Sequence, residues 1–176
     1  MLSTSPQKGV SLIEAMIGLA VASLLMMIGL PSYATWIQNS KIRGAAEAML
    51  GGMQLARGEA VRRNASVNMV VDSSLTWRVS LVSTGELIQA LPRAVGVDAF
   101  AVTIVPDGAN TLTINSLGKV VGNADGTPSI TQVEIDLPTS VLAASQSREL
   151  RIVIGGGGNA RLCDPNVADA TDPRKC

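Results

Sequence analysis

The chain has 176 residues, enough for one domain of usual size plus an anchoring segment. Basic and acidic residues balance at 14 each, so the chain has no general attraction to nucleic acid or anionic lipid. Aromatic residues make up only 2% and histidine is absent, which argues against base stacking, histidine metal ligation and a serine or cysteine triad. We therefore expect no catalytic residues and no cofactor.

The N-terminal segment combines a short polar leader with an apolar run. Residues 1–9 end in Gly9, and residues 10–30 are almost wholly apolar with one charged residue, Glu14. About 20 residues cross a hydrocarbon core, so the run is long enough to span a membrane. A carboxylate inside such a span costs about 2.5–3.5 kcal/mol on insertion scales. Glu14 is therefore a candidate functional residue.

The sequence Gly9-Val10-Ser11-Leu12-Ile13-Glu14 resembles the type III signal of type IV pilins and of the pseudopilins of type II secretion. The resemblance implies cleavage after Gly9 by a prepilin peptidase and N-methylation of Val10. Cleavage would give Val10 an ammonium group with which Glu14 of a neighbouring subunit could pair. A paired buried charge is tolerable where an unpaired one is expensive. Such a pair would also favour one axial stagger between subunits.

Two other interpretations of the N-terminal segment compete with this one. One is an ordinary secretory signal peptide cleaved after Ser32-Tyr33-Ala34, although such peptides have apolar regions of only about 7–15 residues. The other is a plain membrane anchor with Glu14 near the interface. N-terminal sequencing separates the three, because the first residue would be Val10, Thr35 or Met1.

Charge and cysteine placement predict the same topology. Lys8 precedes the span and the next basic residue is Lys41, which favours a cytoplasmic leader. Cys163 and Cys176 lie near the C-terminus, and after an export segment they predict a disulfide in an oxidising compartment, with free cytosolic thiols as the alternative. We expect a single-pass protein of the bacterial inner membrane with its C-terminal domain in the periplasm, later carried into a pilus or pseudopilus.

Helical periodicity resumes after Pro31 and continues to a predicted stop at Asn64. Pro31 should bend or loosen the helix, which starts at Ser11. Residues 31–64 form its amphipathic half, with four glycines (Gly44, Gly51, Gly52 and Gly58) that we expect to allow close approach of the domain. The predicted apolar stripe consists of Ile42, Ala45, Met49, Met53, Ala56 and Ala60.

From residue 65 to residue 176 the pattern changes to short β-rich runs separated by turn residues. Several runs alternate apolar and polar residues, which is typical of an antiparallel sheet with one solvated face. The predicted fold class is α+β: one long N-terminal α-helix whose second half packs on a β-sheet or small sandwich. The predicted strands are Val67–Val71, Trp77–Val82, Ala101–Val105, Thr111–Ile114, Ile130–Leu137 and Glu149–Ile154.

Three further stretches resemble the GspH/FimT family of minor pilins and pseudopilins. Gln54 to Asn64 is similar to that family's QLARSEAIRRN stretch, and Leu112 to Gly118 occupies the place of its strand-then-glycine segment. The end of the chain, from Arg161 to Cys176, looks like the disulfide loop of FimU-like minor pilins. The resemblance implies a type IV pilin-like fold and a structural subunit of a pilus initiation or tip complex. Its partners would be other minor pilins and the major subunit. A GspH-type pseudopilin of the type II secretion system is the alternative.

A DNA-binding minor pilin for natural transformation is a third possibility and is not favoured. DNA-uptake members of the family carry a Gly-Arg-x-Arg motif, and the corresponding place here contains Gly158-Asn159-Ala160-Arg161. Phosphate affinity grows with the number of cations, and the candidate contacts Arg161, Arg174 and Lys175 lie among aspartates.

A calcium site in the C-terminal loop is also possible and equally weakly supported. Asp164, Asn166, Asp169 and Asp172 are oxygen ligands at short spacing, as Ca²⁺ prefers. The same residue types often form turns and caps instead.

Overall fold

The computed structural model describes residue 9 and residues 11–72, 74–91 and 100–176, so Val10 and the leader before Gly9 lie outside the described residues. The chain divides into two compact units, Met1–Ile37 and Gln38–Cys176. One helix, α1 (Leu12–Arg63), begins in the first unit and ends in the second, as the periodicity predicts.

In the first unit, α1 is apolar on all sides and continues through Pro31. Two of its hydroxyl groups bond to the helix backbone. The Ser23 hydroxyl donates to the Ala20 carbonyl at 2.8 Å, and the Thr35 hydroxyl donates to the Pro31 carbonyl at 3.2 Å. Such local bonds satisfy hydroxyl groups that would otherwise be costly in an apolar environment.

In the second unit, α1 buries one regular stripe against the β-domain. The apolar stripe predicted from the sequence is correct except at one position. Ala46 is fully buried there, whereas the predicted Ala45 is only partly buried. Spacings that alternate between four and three keep all six side chains on one face of the helix. The stripe consists of Ile42, Ala46, Met49, Met53, Ala56 and Ala60.

The β-domain contains two antiparallel sheets. The first has the order β3-β2-β1-β5-β6 and the second the order β4-β7-β8-β9. A single apolar core includes residues of α1 and of both sheets. The strands are β1 (Val67–Val71), β2 (Trp77–Leu81), β3 (Leu87–Leu91), β4 (Ala101–Val105), β5 (Thr111–Ile114), β6 (Val120–Val121), β7 (Gln132–Asp136), β8 (Leu150–Ile154) and β9 (Ala160–Cys163).

Every predicted strand is present, with ends that differ by at most two residues, and three strands were missed. Strand β3 is an edge strand with mostly exposed residues, so burial imposes no alternating pattern on it. Strand β6 has only two residues. Strand β9 has only four residues and pairs with β8 as a hairpin across the glycine-rich turn.

Asn39 ties the loop between β7 and β8 to α1. The Asn39 side-chain amide donates to the Gln146 backbone carbonyl at 3.0 Å. The Asn39 side-chain oxygen, Oδ1, accepts from the Arg148 backbone amide at 2.8 Å. The segment 139–147, which belongs to this loop, consists mainly of turns. A single polar side chain on the helix thus fixes a loop far along the chain.

Close packing between α1 and the first sheet depends on one glycine rather than four. A Cβ atom at Gly52 would lie 2.7 Å from Trp77 Cε2 and 2.9 Å from Met69 Cε. Nothing lies within 4 Å of a Cβ at Gly44, Gly51 or Gly58. The expectation of close approach is therefore correct at Gly52 and wrong at the other three positions.

This difference predicts opposite effects for two neighbouring substitutions. Gly52→Ala should destabilise the β-domain by about 1–3 kcal/mol, because the new methyl overlaps the Trp77 ring. Gly51→Ala should stabilise it by about 0.5–1 kcal/mol through helix propensity. Urea unfolding of the detergent-solubilised protein measures both. Equal midpoints for the two variants would contradict the packing described.

Candidate functional site

The start of α1 carries a half-formed capping box that includes the candidate assembly residue. Ser11 precedes the first helical residue, and the Glu14 backbone amide donates to the Ser11 hydroxyl at 3.2 Å. Glu14 lies in the first turn, where the positive end of the helix dipole favours a carboxylate. Sequence analysis missed the role of Ser11, although the spacing Ser-x-x-Glu before an apolar run is its usual signal.

The surroundings of Glu14 and Gly9 are open. Glu14 is exposed and takes part in none of the ion pairs found among the described residues. Gly9 is exposed as well, and, apart from its two chain neighbours, none of the residues that the structure describes has an atom within 4 Å of a Cβ built on it. Val10, the predicted new N-terminus, lies outside the described residues. Within the described chain, therefore, Glu14 has no cationic partner, and any partner must come from elsewhere.

The apolar part of α1 has the length and composition of a membrane-spanning helix, and its most hydrophobic window buries nothing within the chain. A helix that is hydrophobic on every side must be covered by lipid or by other helices. Its exposed large side chains are Leu12, Ile13, Met16, Ile17, Leu19, Val21, Leu24, Leu25, Met26, Met27 and Leu30.

Three segments singled out in the sequence meet at one junction in the second unit. They are the stretch of α1 that resembles the family's QLAR motif, the strand-then-glycine segment and the glycine-rich turn before β9. A Cβ on Gly118 would lie 3.1 Å from Arg57 Nε and 3.3 Å from Val61 Cγ2. A Cβ on Gly158 would overlap the Gly118 carbonyl oxygen and lie 3.5 Å from Arg57 Nε. Both glycines have positive φ, +74° at Gly118 and +75° at Gly158. Helix α1 and the turns before β6 and β9 therefore pack together only because two positions have no side chain.

A backbone hydrogen bond extends this junction between the two sheets. The Val120 amide of β6 donates to the Gly156 carbonyl at 3.1 Å. Gly156 belongs to the turn that joins β8 and β9. The edge of the first sheet is thus bonded to a turn of the second sheet, and Gly155 to Gly158 is a structural turn.

The end of α1 is fixed by a cluster of charged side chains. Glu59 accepts hydrogen bonds from Arg62 and Arg63, and these bonds lower the pKa of Glu59 to about 2. Arg63 also bonds to Glu86 at 3.0 Å, which joins the helix to the segment before β3. The helix then stops at Asn64, whose φ of 49° is left-handed.

Acidification should therefore destabilise the protein more than it destabilises a Glu59→Gln variant. In the unfolded chain Glu59 takes up a proton near the ordinary glutamate pKa of 4.5, whereas the folded chain holds the proton off until about pH 2. The stabilisation is fully present above the unfolded pKa and is lost as pH falls through the folded pKa. Melting temperatures of both proteins from neutral pH to about pH 2 measure this. A constant difference between them across that range would contradict the prediction.

Cys163 and Cys176 form the predicted disulfide, with an S–S distance of 2.12 Å and Cα atoms 5.1 Å apart. The Asp164 amide also donates to the Arg174 carbonyl at 2.7 Å, so backbone pairing closes the same loop. From the entropy that a crosslink removes from the unfolded chain, such a bridge stabilises by about 3 kcal/mol.

The aspartates of this loop are occupied in its turns. Asp164 accepts from the Asn166 amide, and Asp169 accepts from the amide and hydroxyl of Thr171. Asp172 pairs with Arg174, which lowers the pKa of the Asp172 carboxyl to about 2. Across the described ranges, no group of three or more His, Cys, Asp or Glu residues is placed to hold a metal ion. The geometry favours turn formation over calcium binding.

The three residues predicted as candidate DNA contacts do not all have free cationic groups. The Arg174 guanidinium donates to both oxygens of the Asp172 carboxylate, with a shortest distance of 2.7 Å, and Lys175 Nζ donates to the Ala168 carbonyl. Arg161 is exposed on β9. Two of the three cations are therefore held by the loop itself.

A long N-terminal helix with an apolar first part, followed by an antiparallel β-domain, defines the class of type IV pilin-like proteins. Residues 4–30 match the prokaryotic N-terminal methylation motif, and residues 45–158 match the family described as type II transport protein GspH. The protein belongs to the GspH family. Membership implies assembly with other pilins and processing by a prepilin peptidase.

A solved structure confirms the predicted fold class. The chain is similar to the type IV minor pilin FimU of Pseudomonas aeruginosa PAO1, with a TM-score of 0.50 and 14% identity over 76% of this chain and 99% of that one. A second crystal form of FimU gives a TM-score of 0.48 and 16% identity over 72% and 99% of the two chains. No curated protein sequence matches this chain significantly.

Proposed function

We propose that this protein is a minor pilin, a structural subunit of the initiation or tip complex of a type IV pilus. The observation that carries the proposal is the start of α1. There a helix that is apolar on all sides carries one exposed carboxylate, Glu14, in its first turn, and its apolar part lies within the match to the methylation motif. Such a helix is stable only in lipid or among similar helices.

Two covalent changes at the N-terminus, cleavage and methylation, precede assembly. A prepilin peptidase cleaves the peptide bond after Gly9 and leaves Val10 with a free amine, which is then N-methylated. The ammonium of one subunit pairs with Glu14 of a neighbour when their helices pack together. Because either charge alone would be expensive in an apolar bundle, the pair favours one axial stagger.

Before assembly the protein resides in the inner membrane as a single-pass subunit. The leader faces the cytoplasm, in line with Lys8. The β-domain faces the periplasm, where an oxidising environment supports the Cys163–Cys176 bridge. Residues 10–30 form the membrane and assembly helix, residues 31–64 its amphipathic half, and residues 65–176 the periplasmic domain. The β-domain offers neighbouring minor pilins and the major subunit a surface held rigid by the glycine junction and the disulfide loop.

A minor pseudopilin of the type II secretion system is the second candidate. The matching family carries the description of a type II transport protein, which supports this machine. The C-terminal disulfide loop and the fold shared with FimU support the pilus. The two candidates share one assembly chemistry and differ in the subunits beside them. DNA binding is not favoured, because Arg174 and Lys175 have partners within the loop.

Crosslinking in cells distinguishes the two machines. A tagged copy of the full chain would be crosslinked in living bacteria, purified and analysed by mass spectrometry. We expect peptides of other minor pilins and of the major pilin. Peptides of pseudopilins alone would overturn the pilus assignment in favour of secretion, and no pilin or pseudopilin peptide at all would overturn both.

A further inference from the structure

Two aromatic side chains stand at the end of the apolar part of α1. The whole chain has one tyrosine, two tryptophans and one phenylalanine, and Tyr33 and Trp36 are two of these four residues. Their rings stack with centroids 5.8 Å apart and planes inclined by 26°. They are 59% and 64% exposed. A scarce residue type is thus concentrated as one exposed aromatic pair at a single level of the helix.

The level of this pair matches one surface of a bilayer. The helix from Leu12 to Leu30 is roughly 28 Å long at 1.5 Å per residue, close to the thickness of about 30 Å of a hydrocarbon core. Tyr33 and Trp36 follow within the next two turns. Tryptophan and tyrosine concentrate at this level in membrane proteins, because their rings prefer the apolar side and their polar groups prefer water.

We propose that Tyr33 and Trp36 anchor the helix at the headgroup level of the periplasmic leaflet and thereby set its depth in the membrane. The binding partner is the phospholipid interface. The inference rests on the proposed membrane-anchored state. It deepens that proposal because depth at one interface fixes the position of the other end of the same helix.

The consequence concerns Glu14. The helix rises roughly 33 Å from Glu14 to Trp36, slightly more than the hydrocarbon thickness. With the aromatic pair at one interface, Glu14 lies at the opposite, cytoplasmic interface, where its carboxylate remains hydrated. Gly9 then lies outside the hydrocarbon, within reach of a peptidase. The anchor therefore keeps the acid away from the bilayer centre until a neighbouring ammonium is present.

Depth-dependent fluorescence quenching tests the anchor. The full-length precursor is reconstituted in phosphatidylethanolamine–phosphatidylglycerol vesicles that carry bromine either near the ester end or near the methyl end of the acyl chains. Subtracting the emission of a Trp36→Phe variant isolates the signal of Trp36 from that of Trp77, which is buried in the β-domain. We expect a larger fractional loss of this signal with the shallow bromine than with the deep one.

A control at the bilayer centre calibrates the two probes. Leu24→Trp in a Trp36→Phe background places the indole in mid-span and should reverse the order, with the deep bromine quenching more. Flotation of the vesicles reports insertion separately. A protein that floats, yet whose Trp36 is quenched more by the deep bromine or by neither, overturns the anchor alone. A protein that does not float overturns the membrane-anchored state itself.

The depth of Glu14 is tested by cleavage. A Tyr33→Ser, Trp36→Ser double variant should be processed more slowly by prepilin peptidase in the same vesicles, because its cleavage site is no longer held at the interface. An exposed pair further along the helix, replaced as Arg43→Ser and Glu47→Ser, is the matched control and should be processed at the native rate. Native processing of the aromatic double variant would overturn the proposed coupling.

Discussion

Glu14→Ala is expected to reduce incorporation into filaments by about 100-fold or more while leaving membrane insertion intact. In the assembled bundle the substitution would leave a neighbour's ammonium buried without its partner, and breaking such a pair costs about 3–5 kcal/mol. Insertion should be unchanged or slightly improved, because the cost of about 2.5–3.5 kcal/mol applies to a charge at the bilayer centre and Glu14 lies in the first turn of the helix. A large loss of assembly without a loss of insertion separates a role in assembly from a role in anchoring.

Immunoblots of sheared filaments and of membrane fractions measure both effects with the variant as the only copy. Glu47→Ala is the matched control, since Glu47 also lies on α1 but pairs with Arg43 in solvent at 2.9 Å. Exposed pairs of this kind contribute about 0.3–0.5 kcal/mol, so assembly should stay close to native. Normal filament incorporation of Glu14→Ala would refute the role assigned to the carboxylate.

Gly158→Ala should unfold or severely weaken the β-domain, by about 3 kcal/mol or more. A left-handed backbone costs a residue with a Cβ about 1–2 kcal/mol, and overpacking adds about 1–3 kcal/mol. Here the new methyl meets a backbone oxygen, that of Gly118, which cannot rotate away as a flexible side chain could. The contact between the two sheets beside Arg57 would have to open.

Gly156→Ala is the matched control in the same turn. Gly156 is exposed, and nothing lies within 4 Å of a Cβ built there. Gly156→Ala should therefore change the melting temperature of the β-domain only slightly. Thermal unfolding followed by circular dichroism compares the two variants with the native protein under non-reducing conditions, so that the disulfide is intact. A melting temperature of Gly158→Ala equal to that of Gly156→Ala would contradict the junction.

The sequence was most informative where a residue's environment depends on its near neighbours. The apolar span, the helix to Arg63 and the strands with alternating burial all follow from local periodicity. Ser11 belongs to the same group, because its capping role depends only on the residue three positions later.

The sequence was least informative where a contact joins distant segments. The four glycines in the amphipathic half of α1 look alike, yet among them only Gly52 faces Trp77 across the core. Gly158 looks like an ordinary turn glycine, and its contact with Gly118 exists only once both sheets have formed. The choice of Ala46 over Ala45 follows from the position of the β-domain around the helix, which periodicity alone fixes to within one residue.

The junction gives a physical reason for the motif segments of the second unit. Arg57 lies in the stretch that resembles the family's QLAR motif, Gly118 closes the strand-then-glycine segment, and Gly158 closes the turn before β9. Their proximity indicates that these motifs serve the packing of the β-domain. The chemistry that we propose for assembly, in contrast, involves the other end of the chain, around Gly9 and Glu14.

Mass spectrometry of the N-terminal peptide of the protein recovered from cells examines the proposed maturation most directly. We expect that peptide to begin at Val10 and to carry one methyl group on its amine, as the match to the methylation motif implies. A peptide that begins at Met1 would show that no new amine is created for Glu14 to bind. One that begins at Thr35 would show that the apolar helix has been removed, and either result would contradict filament assembly through this helix.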